Sequence, residues 1–117
     1  MAPVDRNRPV PRDAWIAITD AAAIERSPVW SPEARLLYYL SERDGFRCVW
    51  ARGWDAANKR PAGYPFAVLH FHSARRSPRA VGNADYLTGL SLARNSVVLA
   101  LAESTGSIWI EETPRAK

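Results

Sequence analysis

The apolar residues of this chain fall in short segments separated by polar stretches, and this order limits the fold more than any other feature. None of the segments approaches the roughly 20 residues that are needed to span a bilayer. Their patterns predict the order strand, short helix, helix, strand, strand, helix, strand. Strands and helices mixed in this way favour a small α+β domain of two layers, one an antiparallel sheet and the other two main helices.

The first main helix is predicted over residues 32–43, within SPEARLLYYLSERDG. Ser31 is suited to the N-cap, Pro32 to the first helical position and Gly45 to the stop. The apolar residues between them recur at helical spacing and form one stripe.

Asn83 is suited to the N-cap of the second main helix, which is predicted to begin with ADYLTGL and to continue through SLARNSVVLALAES, whose apolar second half indicates burial on more than one face. Gly89 and Ser91 weaken the middle of this helix, so two helices with a turn between them are the alternative.

Strands are predicted where apolar residues alternate or where β-branched and aromatic residues are concentrated, at WIAIT, FRCVW, FAVLHFHS and SIWIEE. A short helix, AAAIER, is expected between the first strand and Pro28. Residues 51–65, which contain several glycines and prolines, are expected to form a long loop, and residues 73–83 a second one.

Chain length and cysteine content bound the organisation. With 117 residues there is room for one core. We therefore expect a flexible arm over 1–13, a single domain over 14–113 and a tail over 114–117. The single cysteine, Cys48, cannot form an internal disulfide, which favours a cytoplasmic location. The arm lacks the apolar stretch of a secretory signal, and no association with a membrane is expected.

The net charge of +4 favours attraction to nucleic acid, although an ordinary basic protein has a similar balance. The two predicted loops contain most of the candidate contact residues, and the second helix contains the rest. The predicted nucleic-acid-binding residues are Arg75, Arg76, Arg79, Lys59, Arg60, Arg94 and Asn95. If the FAVLHFH strand pairs with FRCVW, the two loops leave from opposite ends and the basic surface is divided.

Residues 84–112, ADYLTGLSLARNSVVLALAESTGSIWIEE, resemble the helix-turn-helix and first wing strand of winged-helix DNA-binding proteins. The earlier stretch SPVWSPEARLLYYLSERDG is similar to the first helix of some of those families. The resemblance implies a winged helix-turn-helix as the alternative fold. It also implies that Ser91, Arg94, Asn95 and Ser96 approach the major groove.

His70 and His72 form an H-x-H pattern on a predicted strand, which directs both imidazoles to the same face. Together with Cys48 they are donors of the types that bind zinc. Nothing else is spaced to complete such a site. We therefore predict no metal and no cofactor, and expect two ordinary histidines on a half-exposed sheet face.

Common catalytic motifs are absent from the sequence, which has no G-x-S-x-G elbow and no phosphate-binding glycine loop. An enzyme is therefore disfavoured. A small hydrolase or nuclease that uses the two histidines as general bases is kept as a remote alternative. Its candidate acidic partners are Asp55, Asp85, Glu111 and Glu112.

These features favour a small non-enzymatic binding protein, first of all a nucleic-acid-binding regulator that uses an arginine-rich surface. The alternative is a protein-interaction module, such as an antitoxin, an immunity protein or an inhibitor from a mobile element. In that case Trp54 and Tyr64 are the expected partner contacts, and an open sheet edge is available for pairing. A homodimer is compatible with either function.

Overall fold

The computed structural model describes residues 7–73, 75–78 and 89–111. Within these ranges one 3-10 turn, Arg12–Ala14, is accompanied by strands alone. The strands are β1 (Glu25–Trp30), β2 (Leu36–Ser41), β3 (Cys48–Asp55), β4 (Arg60–Leu69), β5 (Arg76–Ser77), β6 (Leu90–Ala93), β7 (Ser96–Leu99) and β8 (Ala102–Glu103). The predicted α+β fold with two main helices is therefore wrong. In the described ranges, no helix has the length and hydrophobicity that a membrane span requires.

Strands β1 to β4 form one antiparallel sheet in chain order. Strands β6 and β7 form a separate hairpin, and the short strands β5 and β8 pair with each other. Because neighbouring strands of the main sheet run in opposite directions, its connections alternate between two ends. The turns 31–35 and 56–59 lie at one end, called here the turn end. The loop 42–47 and the residues that follow β4 lie at the other, called the loop end.

The helix predicted over 32–43 is replaced by a turn and strand β2. Ser31 does act as a cap, since its hydroxyl accepts hydrogen bonds from the backbone N–H groups of Arg35 and Leu36 at 3.2 and 3.1 Å. The backbone of Ser31 also donates to the Leu36 carbonyl, and Ala34 has a left-handed φ of 54° that a helix cannot contain. Ser31 therefore stabilises a tight turn and not the start of a helix. The residues after the turn form β2, which pairs with β1 on one side and with β3 on the other.

The long loop predicted over 51–65 is a hairpin, in which β3 continues to Asp55 and β4 begins at Arg60. The Asp55 carboxylate organises the turn by accepting hydrogen bonds from the backbone N–H groups of Ala57 and Asn58, both at 3.0 Å. The prolines of the segment suggested a loop, but β4 is the last strand of the sheet. A strand with one unpaired edge tolerates residues that lack an N–H.

The segment predicted as the end of a helix, and as the recognition helix of a winged-helix protein, contains β6, β7 and β8. Arg94 and Asn95 form the turn between β6 and β7 instead of a helical surface. Along β7 the burial alternates, with Val97 partly buried and Val98 exposed, as in a strand that covers a core on one side. The helix-turn-helix interpretation is therefore wrong for these residues. The part of that helix predicted from Asn83 to residue 88 lies outside the described ranges.

The core is formed by one face of the main sheet and the β6–β7 hairpin. Leu40 of β2, Val49 of β3 and Leu90 of β6 are its buried centre. The partly buried side chains packed around them are Val29, Tyr38, Val68, Phe71, Val97 and Leu99. Two of the predicted strands are present in part, since FRCVW overlaps β3 and FAVLHFHS overlaps β4.

The segment 15–26, predicted as a strand over 15–19 and a short helix over 21–26, forms neither element, and its last two residues begin β1. It is tied to the face of the sheet opposite the core, where the Arg52 guanidinium donates to the Ile18 carbonyl. Arg43 forms ion pairs with Asp20 at 2.9 Å and with Glu25 at 3.0 Å. Of the predicted arm, residues 1–6 lie outside the described ranges, as does the tail 114–117.

Candidate metal centre

Four potential metal ligands converge at the loop end of the main sheet. Asp44 lies in the loop between β2 and β3, and Cys48 is the first residue of β3. His70 and His72 follow the last residue of β4, which pairs with Val49. The antiparallel pairing of β3 and β4 thus brings together residues that are more than 20 positions apart in sequence. The ligand atoms of all four side chains lie within 4.8 Å of one another.

Three of the donor atoms form a small triangle. His70 Nδ1 lies 3.0 Å from His72 Nε2, His72 Nε2 lies 2.8 Å from Asp44 Oδ2, and His70 Nδ1 lies 3.3 Å from the same oxygen. A tetrahedral zinc ion with bonds of about 2.0–2.3 Å holds its ligand atoms about 3.3–3.8 Å apart. Small outward movements of these side chains would therefore admit one ion at bonding distance from all three atoms.

Protons alone cannot satisfy this triangle. Each of the two ring nitrogens carries at most one hydrogen, and an ionised carboxylate only accepts. At most two of the three contacts can therefore be hydrogen bonds at the same time, and the third brings two atoms together without a proton between them. A metal ion accepts electron pairs from all three atoms at once. A hydrogen on His72 Nε2 accounts for the two shorter distances, and a cation in its place would contact all three atoms.

Cys48 supplies the fourth donor from the buried side of the centre. Its side chain is fully buried, and its sulfur accepts a hydrogen bond from the backbone N–H of Phe71 at 3.2 Å. Burial raises the pKa of the Cys48 thiol, and the Phe71 hydrogen bond opposes this only in part. The thiol is therefore protonated in the metal-free protein, and the binding of an ion would displace its proton. An N–H donated to sulfur then stabilises the thiolate.

Asp44 is oriented by the loop that carries it. The backbone N–H of Phe46 donates to Oδ1 at 3.3 Å, which leaves Oδ2 directed at the histidines. Gly45, between them, has a φ of 85°, a conformation that residues with a side chain rarely adopt. Burial alone would raise the pKa of Asp44, but the hydrogen bonds from His72 and Phe46 outweigh it, and the pKa lies below its ordinary value. The carboxylate is thus ionised and available as a ligand.

Aromatic rings hold the two imidazoles in place. The Phe46 ring stacks on His72 with centroids 4.9 Å apart, and Trp50 presents its edge to His70 at 6.4 Å. The guanidinium of Arg43 lies over the Trp50 ring, 5.1 Å from its centroid. The side chains of His70 and His72 remain 53% and 48% exposed, so an ion can reach the centre from solvent. Neighbouring groups that fix the orientation of ligands are typical of metal sites.

The donor set agrees with this geometry. One thiolate, two imidazoles and one carboxylate are ligands that zinc accepts, and four protein ligands are the usual number in a structural site. Two clefts of about 200 and 270 Å³ in the described part of the chain lie elsewhere, and neither is lined by either histidine. The two histidines face each other and Asp44, so three of the four donors are directed at one point.

Asp44 is the ligand that the sequence prediction did not include. The acidic residues considered as partners of the histidines were others: Asp55 lies at the turn end, Glu111 lies in the exposed segment after β8, and Asp85 and Glu112 lie outside the described ranges. The available signal was the Asp-Gly pair four residues before Cys48. Such a pair is typical of a tight turn between strands, but it was assigned to the end of a helix.

The predicted nucleic-acid-binding residues are divided between the two ends of the molecule. Lys59 and Arg60 lie at the turn end. Arg75 and Arg76 lie beyond the loop end, where both pair with Glu103, at 2.9 and 3.3 Å. Arg79 lies outside the described ranges.

Arg94 and Asn95, at the β6–β7 turn, line a cleft together with residues 31–33 of the turn end. They are therefore on the same side of the molecule as Lys59 and Arg60. The two predicted partner contacts differ from each other in exposure. Trp54 is partly buried and packs edge-on against Trp30, with centroids 5.6 Å apart, whereas Tyr64 is exposed on β4.

Compared with protein-family models, with curated proteins and with solved structures, the chain has no significant match.

Proposed function

We propose that this protein binds a divalent transition-metal ion, first of all zinc, through Asp44, Cys48, His70 and His72. One observation carries the proposal: three donor atoms lie 2.8–3.3 Å apart, and the sulfur of the buried Cys48 lies within 4.8 Å of them. Two imidazoles, a thiol and a carboxylate thus meet at one point, and all four are ligand types that zinc accepts.

The bound ion would act chiefly as a cross-link. Its ligands come from the β2–β3 loop, from β3 and from the segment after β4, so one ion connects three parts of the loop end. The β2–β3 loop is also linked to a later part of the chain. Its Arg47 pairs with Glu42 at 2.7 Å and donates a hydrogen bond to the Pro78 carbonyl at 3.4 Å. In a domain with a small buried core, such a cross-link contributes directly to folding free energy.

Titration of the reduced, metal-free protein with Co²⁺ tests the proposal. We expect one ion per chain with a Kd of about 1 µM or tighter, together with the intense visible absorption of a tetrahedral site and a thiolate-to-cobalt charge-transfer band. Zn²⁺ should displace the cobalt and remove both signals. Weak binding without a charge-transfer band would exclude Cys48 as a ligand, and an absence of saturable binding would refute the proposal.

The proposal extends to the compartment. Cys48 must be reduced to act as a thiolate ligand, and a cytoplasmic location keeps a single thiol reduced. This agrees with the location predicted from cysteine content.

A second candidate function is the binding of nucleic acid at the turn end, which we propose as separate from the metal centre. Three turns lie at this end and carry four exposed cations, with Glu33 and Asp55 as acids at the same end. The cations are Arg35, Lys59, Arg60 and Arg94. Arg75 and Arg76, by contrast, share one carboxylate, so they offer less free charge to a phosphate backbone.

Two charge-matched double variants test this second candidate. We expect R60Q/R94Q to weaken binding to mixed-sequence DNA or RNA in fluorescence anisotropy, and to reduce the slope against log salt by about 2. The R75Q/R76Q variant removes the same charge and should bind nearly as the parent does. Equal losses in the two variants would point to net charge alone, and no binding by the parent at low salt would exclude the function.

A further inference from the structure

The segment after β8 exposes three consecutive large apolar side chains. Ile108, Trp109 and Ile110 are 97%, 90% and 89% exposed. Single exposed apolar residues are normal on protein surfaces, but a contiguous group of this kind marks an interaction site. The segment is also rich in β-branched and aromatic residues, which favour a strand. In the described part of the chain it nevertheless belongs to no strand.

Among the described residues, the last backbone hydrogen bond before this segment runs from the Ser104 N–H to the Arg75 carbonyl, at 2.9 Å. Residues 107–111 are all exposed. A strand-forming segment whose backbone finds no partner in its own described fold can complete its hydrogen bonds by joining the sheet of another chain. The question is therefore which sheet edge it fits.

Strand β4 offers such an edge. It is the last strand of the main sheet, and among the described residues no strand pairs with its outer side. Its exposed apolar side chains are Tyr64, which is 92% exposed, Phe66 and Leu69. Pro65 lacks an N–H, so regular pairing would run over 66–69. These four residues match the length of the segment 107–110.

The charges at the two ends of β4 select the direction of pairing. In an antiparallel alignment, residue 107 lies opposite 69, and Glu111 points towards Lys59 and Arg60. In a parallel alignment, Glu111 would point towards the loop end and the carboxylate of Asp44. Charge complementarity therefore favours the antiparallel arrangement.

The area involved is that of a specific dimer. Large aromatic side chains bury about 150–250 Å² each, so Tyr64 and Trp109 of two copies together would remove about 600–1,000 Å² from water, and Ile108, Ile110 and Phe66 of both copies add to this. Specific protein interfaces bury about 1,200–2,000 Å². A second copy of this chain supplies both the segment and the edge, and each would cover the exposed apolar surface of the other.

We infer that the protein forms a reciprocal homodimer, in which residues 107–111 of each copy add as a fifth, antiparallel strand to β4 of the other copy. This inference is independent of the metal centre. In this register Tyr64 lies diagonally beside Ile110, on the same face as Phe66, and contacts the partner copy from just beyond the paired residues, whereas Trp54 stays inside the protomer.

Sedimentation equilibrium of the full chain tests the inference. The parent should be dimeric at micromolar concentration. A segment variant, I108D/I110D, and an edge variant, F66D, should each raise the dimer dissociation constant at least about 100-fold, since each buries a charge in an apolar contact. Val98, an exposed apolar residue on β7, provides the control, and V98D should dimerise as the parent does. Near-UV circular dichroism establishes that each variant is folded.

Mixing the two dimerisation variants distinguishes the proposed arrangement from its alternatives. An equimolar mixture of I108D/I110D and F66D should form heterodimers, because one intact segment then meets one intact edge. A dimer that tolerates F66D but not I108D/I110D would mean that two segments pair with each other. A parent that is monomeric at all concentrations would mean that the segment serves a different partner. Either result overturns the inference.

Discussion

With free zinc at 100 times its Kd, we expect the free energy of unfolding of the parent protein to rise by about 2.7 kcal/mol. The gain arises because the ion binds the folded arrangement of four ligands and has no comparable site in the unfolded chain. The measurement is urea unfolding in zinc and in EDTA, with a reductant that does not bind metal. The difference between the two conditions is the quantity compared among variants.

Replacing Cys48 by Ser should abolish most of this difference. A serine hydroxyl is a poor zinc ligand at neutral pH, and we expect the affinity to fall at least about 100-fold, since even the loss of groups that orient ligands costs 10–100-fold. Comparing each variant with itself, with and without zinc, cancels any direct effect of the substitution on packing. A full zinc response in C48S would show that the ion binds elsewhere.

Two aspartates provide a matched pair for the same measurement. Asp44 lies in the loop before β3 and Asp55 is the last residue of β3, and each accepts a hydrogen bond from the backbone N–H two residues later, at 3.3 and 3.0 Å. Asp44 adjoins the histidines, whereas Asp55 lies at the opposite end of the sheet. We expect D44N to lose much of the zinc response and D55N to retain it. Equal responses in D44N and D55N would exclude Asp44 from the centre.

Strands could be predicted from sequence where pattern and context agreed. The stretch at 66–69 is part of β4, as its β-branched and aromatic residues predicted. The helix predicted over 32–43 was wrong because a capping serine such as Ser31 occurs in two kinds of local structure. The hydroxyl of Ser31 accepts N–H groups at the start of a helix and also in a tight reversal, and only the strands on either side of β2 decide between them. Pairing across the sheet is not visible in a local pattern.

For the same reason, only two of the four candidate ligands could be placed together from the sequence. His70 and His72 are two residues apart, so their proximity follows from any extended backbone. Cys48 and Asp44 reach them only because β3 and β4 are adjacent and antiparallel. The predicted basic surface depended on the same pairing, which places Arg60 and Arg76 at opposite ends of β4. Contacts between residues far apart in sequence can be predicted only when the register of the paired strands is known, and that register depends on the whole fold.

The core should be most sensitive at Leu40, where we expect Leu40→Ala to lower the free energy of unfolding by about 3 kcal/mol. Leu40 is 1% exposed and lies at the centre of a cluster whose other buried members are Val49 and Leu90. Removal of its side chain leaves a cavity where the main sheet meets the β6–β7 hairpin. Val98→Ala, at an exposed position on β7 outside the proposed dimer contact, should cost less than about 1 kcal/mol and serves as the control.

A double-mutant cycle then isolates the contact between sheet and hairpin. Leu40 and Leu90 come from different sheets, so Leu90→Ala should cost less in the L40A background than in the parent, by about 1 kcal/mol. Urea unfolding in EDTA gives all four values without a contribution from bound metal. Strict additivity would mean that the hairpin does not pack on Leu40. Coupling would establish that the two sheets share one core, with the proposed zinc centre stabilising the loop end separately from it.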